Sequence, residues 1–270
     1  LYITSGEHVL CARLRQSNID AAAGSVEELT RIVAQLRAAW PQVRLIIRAD
    51  SGFCREDIMA WCEAEGVDFV LGLAKNDRLK ELSLRWRIEA QHVFLRTCEA
   101  SRVFAEFQYR TRKSWSRARR VVVKAEHLAK GANPRYVVTS LSTEEADART
   151  LYEDLYCARG DMENRIKEQQ LELFADRTST QTMRANQLRL TLSTVAYTLL
   201  VALRRLGLHN TELERATPGT IRTRLLKVGA QVRVSVRRVV IALSEAFPAQ
   251  DVFVQAVRNL AAIPARAGPA

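Results

Sequence analysis

The sequence predicts an α/β protein: a mixed sheet with flanking helices, interrupted by a β-meander insertion and followed by a mainly helical C-terminal part. Three observations predict it. Two short apolar runs, "VRLIIRA" (43–49) and "VDFVLGL" (67–73), alternate with stretches of helical period, the pattern of buried strands joined by helices. Residues 103–141 switch to a period of two. From about residue 144 the helical period returns and holds through 206.

The elements follow in order. "LYIT" and "HVLCARL" flank "SGE", two antiparallel strands with a tight turn between them. In "SVEELTRIVAQLRAAWP", Ser25 and Glu28 form a capping-box pattern. Leu29, Ile32, Val33, Leu36 and Trp40 then repeat at helical spacing until Pro41 stops the helix. The run 43–49 is a strand bounded by Pro and "DSG", and "REDIMAWCEAEG" is a short helix with Gly66 at its C-cap. The helix crosses between the strands at 43–49 and 67–73, so these two are expected to be parallel.

"VFAEFQYR" sets Val103, Ala105, Phe107 and Tyr109 against Glu106, Gln108 and Arg110. "RRVVVKA" and "RYVVTSL" follow, separated by "KSWS" and "GANP". Three strands with turns between them make a meander, read as an insertion into the first domain. The expected division is a core of 1–80 with 143–209, a β-rich insertion at 81–142, and a basic C-terminal region at 210–270. That last region mixes helix with a strand-like "VRVSVRRVVI" and ends in a Pro/Ala/Gly-rich stretch expected to fray.

Forty-one Lys and Arg against thirty Asp and Glu leave a formal charge of +11, which points to a polyanionic partner. The charge is concentrated. Residues 102–124 hold eight basic residues and one Glu, and residues 203–240 hold nine and two. Such localisation suits a phosphate-tracking surface, with a solvated basic face as the plainer reading. Arg117, Arg119 and Arg120 are the candidate DNA contacts. Trp115 among them either stacks on an unpaired base or fills the meander's own core.

A membrane is not expected. The most apolar stretch, "LRLTLSTVAYTLLVALRR", carries arginines at 189, 204 and 205, is shorter than the ~20 residues a span requires, and reads as a buried helix. No secretory signal is visible. The five scattered cysteines form no CxxC pair and the four histidines no ligand-spaced pair. The chain opens on Leu1 inside a strand-like run and is read as a piece of a longer protein.

Two carboxylates stand out. Asp50 follows a buried strand directly, in "IIRADSGF". In open α/β sheets ligands gather at such strand ends, although an Asp there also caps the following turn. Glu163 lies in "YCARGDMENRIKEQQ". At about 100° per residue, Tyr156, Arg159, Glu163 and Gln170 share roughly a 60° stripe of one helix, with Lys167 at its edge. Leu155, Met162 and Ile166 form the adjacent apolar stripe. Arg159, Glu163 and Lys167 are also spaced as simple surface ion pairs.

Tyr-x2-Arg-x3-Glu-x6-Lys is the signature of cut-and-paste DDE transposases of bacterial insertion sequences. It reads here Tyr156, Arg159, Glu163, with Gln170 in place of Lys. "RADSGFCREDIMAWCEAEGVDFVLGLAKN" resembles the second-Asp segment of the group-one DDE transposase domain. "YCARGDMENRIKEQQLELFADRTSTQTMRANQLRL" resembles the stretch around its catalytic Glu. The resemblance implies an RNase H-like core with a β-strand insertion before the Glu-bearing helix, the order read above from period.

It also implies metal-dependent cutting and joining of double-stranded DNA, at element terminal repeats and target. The cofactor would be two Mg2+ (or Mn2+) ions about 4 Å apart, stabilising the attacking and leaving oxygens. Asp50 and Glu163 would be the catalytic metal ligands. Tyr156 and Arg159 would contact phosphates beside the scissile bond, and Lys167 or Gln170 would stand in for the family's Lys. A homodimer on DNA in the bacterial cytoplasm, at the nucleoid, completes the expectation.

The family's first Asp would precede Leu1. Glu7, in the hairpin turn, and Asp20, in the next loop, are not placed to replace it, so residues 1–270 alone are expected to be inactive or nearly so. A catalytically dead DNA-binding remnant and an RNase H-like nuclease are the alternatives.

Overall fold

A computed structural model describes residues 1–264, the side chains of Arg159 and Asp161 excepted. The terminal stretch expected to fray falls on 265–270, outside the described residues. The chain divides into two compact units, Gln16–Asp161 and Leu1–Arg15 with Met162–Ala270.

The unit Gln16–Asp161 is built on a six-stranded mixed sheet. It contains β3 (Ile46–Ala49), β4 (Asp68–Leu73), β5 (Ser101–Tyr109), β6 (Arg119–Leu128), β7 (Gly131–Ala132) and β8 (Arg135–Thr139). The order is β3-β4-β8-β6-β5, with β7 paired to β6. β3 and β4 are parallel, as the intervening helix requires, and β4–β8, β8–β6 and β6–β5 are antiparallel. The three strands read by alternation in 103–141 are thus present, and they extend the sheet that begins at β3. β6 is an interior strand, with Val121, Val122, Val123 and Ala125 wholly buried between charged residues that are held in ion pairs.

Helices cover both faces. α1 (Ser25–Ala39) buries Leu29, Ile32 and Val33 and leaves Trp40 exposed at its end. Its N-cap is Gly24, in the left-handed region, rather than Ser25. Ser25 is the first helical residue, with a buried hydroxyl that finds no hydrogen-bond partner among the described residues. α2 (Glu56–Glu65) ends at Gly66 with φ 60°, the left-handed C-cap expected for that glycine. α3 (Asp77–Leu82) and α4 (Leu84–Thr97) follow, and α4 packs on β5 and β6.

After β8 the chain turns helical in successive short pieces. These are α5 (Ala148–Thr150), a π turn (Leu151–Tyr156), a 3-10 turn (Cys157–Arg159), α6 (Gly160–Lys167) and a second π turn (Glu168–Glu172). Leu151 and Tyr152 pack with Val70, Val122, Val137, Leu141 and Ala146 on one face of the sheet, with Tyr156 beside them. Each buried valine or leucine of this cluster contributes about 1.5–3 kcal/mol.

In the unit Leu1–Arg15 with Met162–Ala270, β1 (Tyr2–Ser5) and β2 (His8–Ala12) form a hairpin of their own around Gly6, φ 55°. α7 (Met183–Ala202) packs on β2, and the Gln187 amide bonds both the Leu14 N–H and the Ala12 carbonyl. The helix expected at 188–205 is therefore present but only partly buried: Leu190, Tyr197, Leu200 and Val201 face inward, while Leu188, Leu192, Val195 and Leu199 are exposed.

α8 (Pro218–Ile221) and α9 (Gln250–Ala261) close a second core around Leu200, Leu208, Leu213, Ile221 and Leu225. The run "VRVSVRRVVI" is divided into two strands, β9 (Ala230–Val234) and β10 (Val239–Leu243), which pair antiparallel across a turn at Ser235–Arg238. Among the described residues no helix is long and apolar enough to cross a membrane.

Candidate active site

Asp50 stands where β3 ends, exposed at the carboxyl edge of the parallel pair. It caps the next turn: its Oδ1 accepts the Gly52 N–H at 2.8 Å. Both readings of this residue describe the same side chain, since the cap orients a carboxylate that remains open to solvent. Asp20, in the loop before α1, is ion-paired with Arg55 at 2.9 Å.

Tyr156 reaches the same strand end. A β-carbon placed on Gly72 of β4 would lie 2.5 Å from the Tyr156 hydroxyl, 3.0 Å from the Ser51 amide nitrogen and 3.3 Å from the Asp50 carbonyl carbon. The helical turn that carries Tyr156 is fixed to β3, since Arg48 donates to the Leu155 carbonyl at 3.0 Å. Its ring packs on Tyr152, centroids 5.6 Å apart and planes inclined at 48°. Burial pushes the Tyr152 hydroxyl up to about 12. Asp50 and Tyr156, far apart in sequence, are thus neighbours. Gly72, which period alone places merely inside a strand, is the third member of the group. An isolated glycine in a strand pattern is the signal that marks such a close approach.

Glu163 lies in α6, in the other unit, with its side chain 72% exposed and ion-paired to Lys167 at 2.9 Å. This is the i,i+4 pair that the spacing offers. The 3-10 turn at 157–159 and the π turn at 168–172 flank α6, so the rotation of about 100° per residue holds only from 160 to 167. The stripe through Tyr156, Arg159, Glu163 and Gln170 requires that rotation throughout. Gln170, in the second π turn, is half-buried. The Arg159 side chain lies outside the described residues.

The three arginines of the basic run differ sharply. Arg119 is buried and forms paired bonds to Glu56 and Glu63 of α2, at 2.7 Å to each. Burial alone would lower its pKa, but the two carboxylates outweigh burial and raise it. Arg120 is buried on the opposite face of the sheet. It pairs with Glu106 and donates to the carbonyls of Leu141, Ser142 and Ala146. Arg117 is 63% exposed and pairs with Glu63. Trp115 is buried edge-on against Tyr109, centroids 5.5 Å apart, and so fills the meander's core.

Carboxylate oxygens are the donors that Mg2+ and Mn2+ prefer, so Asp50 and Glu163 suit a divalent cation in kind. Among the described residues no group of three or more His, Cys, Asp and Glu side chains converges as a metal site.

No curated protein matches the chain. The family model described as Transposase DDE domain group 1 matches residues 1–265. An acidic strand end, a tyrosine laid against it and a downstream glutamate on a helix are thus features of a chain that belongs to the group-one DDE transposase family.

Proposed function

We propose that this chain is the catalytic region of a transposase that cuts and joins double-stranded DNA at the ends of a bacterial insertion sequence. The observation that carries this reading is Asp50, oriented by its own cap at the exposed end of β3, with the Tyr156 hydroxyl brought to the same place. A phosphodiester is already anionic, so a group that reacts with it must be fixed in position beside charge that offsets the phosphate.

Asp50 and Glu163 are the proposed ligands of the two Mg2+ or Mn2+ ions that DDE chemistry uses. When bound, such ions supply charge neutralisation and an activated oxygen nucleophile. Tyr156 and Arg159 hold the phosphates next to the scissile bond. Lys167, already paired to Glu163, places a positive charge one helical turn away, with Gln170 beyond it. Arg117 is the proposed backbone contact outside the site. Arg119 and Arg120, expected beside it on DNA, have guanidiniums that tie elements together inside the fold.

The catalytic core comprises 1–80 and 143–209, with an insertion at 81–142 whose strands join the core's sheet and a basic region at 210–270. The protein acts as a homodimer bridging two DNA ends, in the bacterial cytoplasm. The test is magnesium-dependent cleavage of a duplex spanning the flanking ends of the element, by the complete protein. Asp50→Asn and Glu163→Gln are each expected to abolish cleavage while leaving binding to that duplex within about twofold. Loss of binding with either variant would make that carboxylate structural, and undiminished cleavage would remove it from the site.

A further inference from the structure

Glycine inside a strand forfeits side-chain packing and restricts a flexible backbone, so its presence calls for a reason. At Gly72 the reason is not backbone conformation, because its φ lies outside the left-handed region that favours glycine. The reason is space. Gly72 pairs with Val137, which pairs in turn with Val122, so the three form a row across the face on which Leu151, Tyr152 and Tyr156 pack. In that row the two valines fill the interface, and the gap at Gly72 is occupied by the end of the Tyr156 ring. Any β-carbon there would collide with the hydroxyl at 2.5 Å and press on the Ser51 amide at 3.0 Å. The Ser51 amide belongs to the turn that Asp50 caps and has little freedom to retreat. The tyrosine ring is the part that would swing away.

We propose that Gly72 is a positioning residue of the transposition site. Its missing side chain seats the Tyr156 hydroxyl against the Asp50–Ser51 backbone, where it meets a DNA phosphate beside the Asp50 carboxylate. The proposal rests on the transposase reading for the identity of the anion and adds to it the device that couples helix to strand end. Two neighbours brace the arrangement: Arg48, bonded to the Leu155 carbonyl, and Tyr152, packed on the Tyr156 ring.

Gly72→Ala in a strand interior would ordinarily be neutral or stabilising. Here it is expected to displace the Tyr156 ring, seen without DNA as a shift of its ring resonances in tyrosine-labelled protein, assigned with Tyr156→Phe. In the complete protein Gly72→Ala should cut magnesium-dependent cleavage of the element-end duplex by about a hundredfold, the usual cost of a displacement near 1 Å. Tyr156→Phe removes the colliding atom. The Gly72→Ala/Tyr156→Phe double variant should therefore cleave no worse than Tyr156→Phe alone. Should Gly72→Ala fail to fold, recovery of the folded circular dichroism spectrum in that double variant is the expected result, and a failure to recover it overturns the contact.

Unmoved ring resonances, or a double variant that loses the full product of the two single losses, would overturn the role of Gly72. If Tyr156→Phe alone impairs cleavage, the site itself then survives. Wild-type cleavage by both Tyr156→Phe and Asp50→Asn would instead remove the transposition reading of this strand end, and the proposal with it.

Discussion

Arg117, Arg119 and Arg120 show how far a charge count departs from a surface. All three enter the same basic run, yet one guanidinium reaches solvent and two are enclosed by carboxylates and carbonyls. Enclosure depends on where Glu56, Glu63, Glu106 and residues 141–146 arrive in space, and no local spacing encodes that. Arg119→Ala would leave Glu56 and Glu63 without their buried partner. It is expected to destabilise the protein by about 3–5 kcal/mol, read from urea unfolding. Arg117→Ala, which removes an exposed partner of Glu63, should cost no more than about 1 kcal/mol. It should weaken binding to a random-sequence duplex and reduce the salt slope by about one ion. Equal loss of stability in both variants would contradict this division. Asp50 is legible in the sequence because a carboxylate directly after a parallel strand must emerge at the carboxyl edge of the sheet, although β3, expected to be buried, is an edge strand with no buried residue. Tyr156 beside it is not, since that contact passes through Gly72.

At the scale of elements, legibility tracks burial. β4 declares itself because a strand covered on both faces is apolar along most of its length, and β6 does so only at Val121–Val123, between charged residues. α4 escapes a reading by period because Leu84, Ile88 and Leu95 point to solvent and blur its amphipathic pattern. The stretch from Ala148 to Glu172 has the residue pattern of a regular helix, whereas π and 3-10 turns break its rotation. The opening hairpin is visible, but its sheet membership is not, because pairing partners beyond a turn leave no local trace.

The bond between α2 and β6 carries a pH dependence. The hydrogen bonds from Arg119 hold the Glu56 carboxyl at about 2, below its ordinary 4.5. Burial pushes Glu63 upward, but Arg119 and Arg117 outweigh it, so its pKa also falls. A folded pKa below the unfolded one gives stability that is complete above the unfolded value and is lost as pH falls through the folded one. Acid titration should therefore show the unfolding free energy declining from about pH 4.5 toward pH 2. Glu56→Gln should flatten that decline, and an unchanged slope would show that this ion pair does not set it.

Across the whole molecule, the charge surplus is shared. The stretch 102–124 lies in the unit Gln16–Asp161, and 203–240 lies in the unit Leu1–Arg15 with Met162–Ala270. Neutralising either stretch alone is expected to lower, and not eliminate, the affinity for duplex DNA, measured by titration at fixed salt. Either stretch accounting for all the affinity would assign binding to one unit.

The first fifteen residues bear on how the protein can be dissected. They are held by the late part of the chain: Glu7 pairs with the buried Arg204 at 2.6 Å, and the backbone at Ala12 and Leu14 is grasped by Gln187. One unit is therefore a continuous stretch of gene and the other is not. A clone of 16–161 takes its whole sheet with it. A clone of 162–270 strands a guanidinium without its carboxylate, and such a fragment should recover only when a peptide of residues 1–15 is supplied in trans.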